Sequence, residues 1–598
     1  MKQPTSLKEG PSYETRTKVT PTTIKPNQTI TFSTNGNETR SAEVLSRAGK
    51  RTGRFGNWYN IEYTAPRNLR GKKDNIDIKA VGNLKVIEEA PSEADVYVAT
   101  ENTYKDAKIR ELNSWKNNEV YEEVPYNNQK CISTRWICTL KELDQGKVTP
   151  KARLVARGFE EPTDSLQKDS PTCSKDTLRV MISTVASMKW DLKSIDIKTA
   201  FLQGENINRD VYLQPPLEAN CKKGYIWKLK KCVYGLSDAS MKWYERVKST
   251  MINLGGEMSS VDSALFIWHK DGVLEGLIAV HVDDFLWAGS NRFYQSIIQQ
   301  LRKIFTFGKE ECKSFKYLGL HVLHKTNDIE LRQGDYVDAL TPIIINKEGR
   351  ADNESLTESE KEQLRSKIGQ LLWITSQTRP DISFDVSNLA INFNKATVKN
   401  LLEVNKAISK AKSDSLGLTF QRLTGPISIT IFTDAAFGNL QDGGSQGAYL
   451  IFLTDEEKRC NLVSWQSKRI KRIVRSSLAA ETLALSEGID AALFISTLYN
   501  EIIHGPNNAK QYPAIPITAY TDNKSLYDAL KSSKFVIDRR LRIDIGALRE
   551  LVARRNVKEI AWIDNTKQLA DALTKRGSST DKLKDVLRNG HFLTKFLD

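Results

Sequence analysis

The sequence predicts a mixed α/β protein of about three or four domains, and three observations carry that expectation. A chain of 598 residues is too long to fold around one hydrophobic core. Short apolar runs rich in β-branched residues, GLIAVHV (276–282), ISITIFT (427–433) and IPITAYT (515–521), read as strands, and each runs straight into an acidic residue. Between and beyond them lie segments with apolar residues at helical spacing, above all EKEQLRSKIGQLLWITSQT and SSLAAETLALSEGIDAALFISTLYNEI.

Taken in order, residues 1–40 are rich in Thr, Asn, Lys and Pro and read as a tail or linker. From Glu43 to Ile87 short apolar runs alternate with Gly and polar turns, as in NWYNIEYTAP, which suggests a small β-rich module. From about Ala94 a dense mixture of helices and strands continues almost to the C-terminus. Thr357 and Glu360 form a capping-box signature that starts one long helix. A second, buried helix starts near Ser477. The segment SDSLGLTFQRLTGP (413–426) is the expected break, which gives units over 1–93, 94–330, 331–425 and 426–598.

Composition narrows the function. With 39% hydrophobic residues the chain can build cores, yet no stretch approaches the ~18 unbroken apolar residues of a membrane span. The N-terminal MKQPTSLKEGPSYETR has no apolar core for a secretory signal, so an intracellular protein is expected. Seven cysteines, none in a CxxC, and six histidines, none in HExxH, argue against a disulfide framework or a zinc site. The net charge of +15 suits a polyanionic partner.

GLIAVHV ends in Asp283 and Asp284 and is followed by a second apolar run, FLWAG. An Asp pair at a turn is often just a polar turn, but adjacent carboxylates inside an apolar hairpin repel, and a divalent cation would relieve that. Asp196, in LKSIDIKTAFLQG, is a third acid on a strand-like approach, with Phe201 five residues on. Carboxylates on neighbouring strands can hold the two cations that nucleotidyl transfer uses.

DIKTAFLQG (196–204), VYLQPP (211–216), WKLKKCVYGLSDAS (227–240) and HVDD (281–284) resemble, in order, the motifs of copia-type reverse transcriptases. KARLVARGF (151–159) is similar to that family's fingers segment, FKYLGL (315–320) to its primer grip, and WITSQTRPDISFDVS (373–387) to the stretch beyond. The resemblance spans residues 94–598 and implies a right-hand polymerase of fingers, palm and thumb. By resemblance Asp196, Asp283 and Asp284 are the metal-binding catalytic acids, Phe201 is the steric gate against a ribose 2′-hydroxyl, and Lys151 and Arg153 contact the incoming triphosphate. Two positions depart from the family: His281 replaces a tyrosine that packs near the primer terminus, so activity or fidelity could differ, and Asp238 in YGLSDAS (234–240) replaces a glutamine, which puts nucleotide contacts by that loop in doubt.

The other two strands deliver Asp434 and Asp522, Glu481 lies about a turn into the helix from Ser477, and Asp571 sits in NTKQLADALTKRG. FTDAAFGN, SSLAAETLALSEG, YTDNKSLYDAL and QLADALTKR resemble the four RNase H motifs in order. The implication is an RNase H-like domain with Asp434, Glu481, Asp522 and Asp571 as catalytic metal ligands and Asp544 as a structural or auxiliary acid. Nearby, KRCNLVSWQSKRIKRIVRS (458–476), with Trp465 interleaved, could follow the backbone of a hybrid. A second basic group comprises Arg539, Arg540, Arg542, Arg549, Arg554 and Arg555.

The resemblance implies an RNA-directed DNA polymerase with RNase H activity, using Mg²⁺ with Mn²⁺ as substitute. Its ligands would be an RNA template, a DNA primer, the RNA–DNA hybrid and dNTPs, its partners further copies or other Pol and Gag products, and its place cytoplasmic particles or the nucleus, without a membrane. GGSQG (443–447) fits the GxSxG pattern but lacks the strand–helix context of a hydrolase elbow. No protease signature, zinc knuckle or integrase core appears, so the chain reads as a downstream part of a polyprotein, its first 93 residues an integrase remnant or a linker. The alternative is a catalytically silent nucleic-acid-binding relic of the family, to which only His281 and Asp238 lend weight.

Overall fold

The computed structural model describes residues 101–592 apart from 143–147, 162–166, 327, 347–348 and 533–535. Within the first hundred residues it describes only the backbone of six strands. These strands, Tyr13–Glu14 and five more between Thr29 and Glu88, form one antiparallel sheet in a unit over Met1–Thr103. Strands Tyr13–Glu14 and Thr29–Ser33 and the start of Thr39–Arg47 lie within residues 1–40, where a tail or linker is expected, and the rest of that stretch falls outside the described residues. Tyr104–Asp598 form the second compact unit, which is mixed α/β as the sequence predicts.

This second unit begins with helix Lys105–Asn117 and a hairpin, β1 (Thr134–Glu142) and β2 (Val148–Ala156). The end of β2 is tied to the 232–238 loop: Ala156 N–H donates to the Tyr234 carbonyl at 2.8 Å. Gly158 and Gly235 abut there, and a Cβ on either would run into backbone, so the close approach requires glycine at both.

Helix α1 (Lys175–Met188) leads to β3 (Lys193–Ile197), and α2 (Ala239–Asn253) to the strands β4 (Leu265–Lys270), β5 (Val273–His281), β6 (Asp284–Gly289) and β7 (Phe307–Cys312). Their sheet has the order Glu257–Met258, β4, β5, β6, β3, β7. The two-residue period of the strands explains its burial on both faces. Leu265, Ile267, Leu277 and Ala279 pack with Val180, Met181 and Val185 of α1, while Phe266, Trp268, Ile278 and Val280 pack with Trp243, Val247 and Met251 of α2. The apolar hairpin around Asp283 is therefore the middle of a sandwich.

Next come α3 (Glu358–Gln377), Ser383–Ile391 and Val398–Lys412, three helices around a core of their own. The Thr357–Glu360 capping box starts α3 as expected. Arg379 and Asp381 of the TRPD segment form a buried ion pair of 2.8 Å, and Arg379 also donates to the carbonyls of Ala411 and Asp414. Residues 413–426 are no exposed linker: Leu418–Gln421 is a strand paired with Asp328–Arg332, and Leu416, Leu418 and Phe420 are buried.

The C-terminal sheet contains β8 (Ser428–Ala436), β9 (Gln446–Thr454), β10 (Cys460–Arg469), β11 (Ile517–Thr521) and β12 (Glu559–Trp562) in the order β10-β9-β8-β11-β12. The β8, β9 and β10 strands run antiparallel, and β11 and β12 run parallel to β8. Helix α4 (Ser477–His504) covers the sheet through Leu485, Ile489, Ala492 and Ile495, and α5 (Lys524–Lys531) and α6 (Arg539–Ala553) follow. The buried residues of α1 and those of β8, β9 and α4 belong to one continuous apolar core.

Two candidate metal centres

The first centre lies where β3 meets the β5–β6 hairpin. Asp196 is paired across the sheet with Asp284, and His281 with Asp284 at the hairpin's end, leaving Val282 and Asp283 as its turn. Ile197 N–H donates to the Asp283 carbonyl at 2.8 Å, which draws the turn against β3. Val282 has φ +57°, a left-handed conformation that a β-branched residue rarely adopts, and strain of this kind persists only where the surroundings enforce it. The Trp243 indole enforces it, donating to the Val282 carbonyl at 2.7 Å. At Gly308 on β7 a Cβ would stand 2.5 Å from Asp196 Oδ2, so the backbone closes over that carboxylate only because the residue is glycine.

Burial, and then the Asp283 and Asp196 charges, push the Asp284 carboxyl up to about 6. Burial and Asp283 likewise raise Asp196, opposed by Lys151, Lys141 and Arg153. Burial lowers the Lys151 ammonium, helped by Arg153 and Lys141 and opposed by Asp196 and Asp283. The cations of the β1–β2 hairpin thus face the acids of the sheet. Arg153 stands 4.8 Å above the Tyr234 ring, and Tyr234 meets Phe201 edge-on at 5.1 Å. Phe201 is half-buried on a 3₁₀ turn directly after β3.

The two departures have separate fates. Asp238 is buried and ion-paired with Arg209 at 2.6 Å, while Arg209 also holds Glu161 at 2.8 Å and the Cys232 thiol lies 3.4 Å from the Asp238 carboxylate. Its carboxylate is engaged inside the protein. His281 is half-buried beside the strained turn.

The second centre lies at the ends of β8 and β11. Oxygens of Asp434, Asp522 and Asp571 all lie within 4.8 Å of one another. Asp434 stands near the end of β8, Asp522 directly follows β11, and Asp571 sits on the short turn Ala570–Leu573. Glu481, one turn into α4, is buried with Oε2 lacking a partner. Burial, then Asp434 and Asp522, push its carboxyl well above the usual range, with the Ala435 N–H opposing. Burial is also the largest cause raising Asp434 to about 7, Asp571 and Asp522 adding to it against Lys575 and a hydrogen bond from Thr574. Asp522 is raised by burial and by Asp571.

Lys575 supplies the cluster's own cation. Its ammonium lies 3.5 Å from Asp434 Oδ2 and is ion-paired with Asp571; burial disfavours its charge, but these acids outweigh burial and raise it. The residues fit hard divalent cations: carboxylate oxygens converge, one buried oxygen is unpartnered, and mutual repulsion disfavours the ionised set without a counter-charge. Asp196, Asp283 and Asp284 fit for the same electrostatic reason, although only the Asp434 group meets the tighter spacing among the described residues.

Sequence reasoning missed Lys575, Thr574 and Gly308; the first two lie inside the quoted segment LADALTKRG, where nothing but adjacency to Asp571 marks them. Asp544 lies apart from the cluster, ion-paired with Arg472 at 2.8 Å. Much of the 458–476 basic segment is likewise paired, Arg459 with Asp455 and Lys468 with Glu487. Trp465 does not face a ligand: its ring lies 3.8 Å from the Arg179 guanidinium and its N–H donates to the Thr375 carbonyl at 2.9 Å, so the expected aromatic contact to a hybrid is withdrawn. On α6, Arg549 turns inward to the Ala529 carbonyl while Arg539, Arg540 and Arg542 are exposed. No helix is long and apolar enough to cross a membrane among the described residues.

Residues 118–357 match the reverse transcriptase (RNA-dependent DNA polymerase) family. The chain is 25% identical over 501 residues to the retrovirus-related Pol polyprotein from transposon RE1 of Arabidopsis thaliana, covering 80% of this chain and 33% of that protein. It is 26% identical over 503 residues to the corresponding polyprotein from transposon TNT 1-94 of Nicotiana tabacum, covering 78% of this chain and 36% of that one. The chain therefore spans about a third of the length of these relatives. Among solved structures, a foamy viral protease-reverse transcriptase in complex with double-stranded DNA is similar at 11% identity and a TM-score of 0.40, over 89% of this chain and 91% of that one.

Proposed function

For a chain that belongs to the copia-type retrotransposon Pol reverse transcriptases, we propose an RNA-directed DNA polymerase joined to an RNase H, each working at one of the two acidic centres. The observation that carries the reading is the pair of separate carboxylate clusters: burial first, and neighbouring carboxylates after it, raise Asp196 and Asp284 in one and Asp434, Glu481 and Asp522 in the other.

In the polymerase, Asp196, Asp283 and Asp284 would hold the Mg²⁺ ions, for which Mn²⁺ can substitute. Bound there, the cations supply the Lewis acidity that lowers the pKa of the primer 3′-hydroxyl and neutralises the triphosphate. Lys151 and Arg153, facing those acids from β2, bind the phosphates of the incoming dNTP. Phe201, backed by Tyr234 and on the turn that follows β3, would be the floor under the sugar and exclude a 2′-hydroxyl. The strained Val282 turn fixes where Asp283 points, and Trp243 fixes the turn. Asp238 takes no part in nucleotide contact.

In the nuclease, the β8, β9, β10, β11, β12 arrangement with α4 across it is RNase H-like, and Asp434, Glu481, Asp522 and Asp571 would hold the cations. Lys575 balances the charge of Asp434 and Asp571, a counter-charge that bound cations would also supply. The exposed arginines of α6 lie on the same domain and suit the phosphates of an RNA–DNA hybrid.

Magnesium-dependent extension of a DNA primer on an RNA template by the full chain tests the polymerase. Extension by the wild type and none by Asp283→Asn is expected. Hybrid binding without extension by the wild type would favour the silent relic.

A further inference from the structure

Arg179 lies on α1, behind the polymerase acids, yet its side chain reaches three separate parts of the molecule. Only 4% of it is exposed. Within α1 it pairs with Asp176 at 3.0 Å. It donates to the carbonyls of Ser376 at 2.5 Å and Gln377 at 3.3 Å, in the last turn of α3, and to that of Val463 at 3.4 Å, on β10. Its flat face lies 3.8 Å from the Trp465 ring. The partners close the junction on themselves: Trp465 N–H donates to Thr375, and Ser464 Oγ donates to Asp176 at 2.8 Å. A guanidinium can do this because five donors lie in one plane while both faces stay free to stack; an ammonium cannot. A second clamp sits at the far end of α4, where Glu501, also buried, accepts from Ser259 Oγ at 2.6 Å and Ser260 N at 3.1 Å, just ahead of β4. Glu481 and Glu501 share that one helix, about 30 Å apart at 1.5 Å per residue.

We propose that Arg179 is a positioning residue that locks the polymerase sheet, the connecting helices and the nuclease sheet into one rigid body, and so fixes how far behind the primer terminus the RNA is cut. The inference rests on the two-activity reading above. A single hybrid held at both centres is then cut in a narrow window of positions, set by the junction and by no base contact.

The test maps RNA cleavage positions behind a blocked, non-extendable primer for the full-length wild type, Arg179→Met and Trp465→Leu, alongside hydrogen exchange of each protein without nucleic acid. The wild type is expected to cut within a narrow window. In Arg179→Met that window should at least double in width while primer extension and cleavage of a short free hybrid stay within twofold. Exchange should rise at residues 373–378 and 460–466 and not in β5, β6 or β8. A folded Arg179→Met with an unchanged window overturns the proposal, as does exchange rising evenly over the whole chain. If Arg179→Met does not fold, Trp465→Leu carries the same criteria. If the wild type cuts no RNA, the nuclease reading fails on its own; the rigid junction then stands or falls by the exchange pattern.

Discussion

Replacing Asp434 by asparagine isolates the electrostatic cost of the C-terminal acidic cluster. The Asp434 carboxyl is raised from 3.8 to about 7, so its charge is unfavourable in the folded protein and harmless in the unfolded chain. Stability linked to this group is fully present below about pH 4 and is lost as pH rises through about 7. A shift of about three units corresponds to about 4 kcal/mol well above pH 7, falling to about 1 kcal/mol near pH 4.5. Asparagine keeps an acceptor for Thr574 and removes the charge. Over the compact unit the entropy of unfolding is roughly 1 kcal/mol/K, so the variant should melt about 4 °C higher at pH 8.5 and about 1 °C higher at pH 4.5. Scanning calorimetry in a chelating buffer measures both. Adding Mg²⁺ should raise the wild type's melting temperature more than the variant's. A variant no more stable than wild type at pH 8.5, or equally stabilised at both pH values, would refute the electrostatic argument.

Gly308→Ala sets a methyl group 2.5 Å from Asp196 Oδ2; primer extension should fall by 10²-fold or more, about 3 kcal/mol in the barrier, with hybrid cleavage unchanged. Extension kinetics check this, and an unimpaired variant would mean that β7 can move away from Asp196. Arg209→Met leaves the buried Asp238 carboxylate unpaired and should cost about 3 kcal/mol in a denaturant titration. The double variant with Asp238→Gln should recover most of that loss, and no recovery would show that the ion pair is not the cause. Lys151→Ala should raise the KM for dNTP far more than it lowers kcat, since its ammonium faces Asp196 and Asp283 across the site; steady-state kinetics separate the two effects.

Asp196, Asp283, Asp434 and Asp522 were legible in the sequence because each stands at the end of an apolar strand, whose direction determines where its last residues point, whereas Glu481 came from a helix start and Asp571 from its motif alone. The three strands read from periodicity, the capping box at Thr357 and the helix from Ser477 all appear. What stayed hidden depends on contacts between distant segments. Arg179 and Trp465 are 286 residues apart, and neither carries a local sign that one stacks on the other. Trp465 amid lysines and arginines looked like a nucleic-acid contact, because a charge run says nothing about which side of its strand faces inward. Asp238 looked like a lost nucleotide contact, since its partner Arg209 lies 29 residues away. Leu416, Leu418 and Phe420 looked like part of a break because glycine and polar residues surround them, yet their alternation is that of a buried strand.

Two independent metal-dependent sites can be told apart by measuring both activities on Asp283→Asn and Glu481→Gln, each as the full chain in Mg²⁺. A reciprocal split is expected: Asp283→Asn loses primer extension and still cuts the RNA of a hybrid, while Glu481→Gln extends and does not cut. Loss of both activities in either folded variant would contradict it.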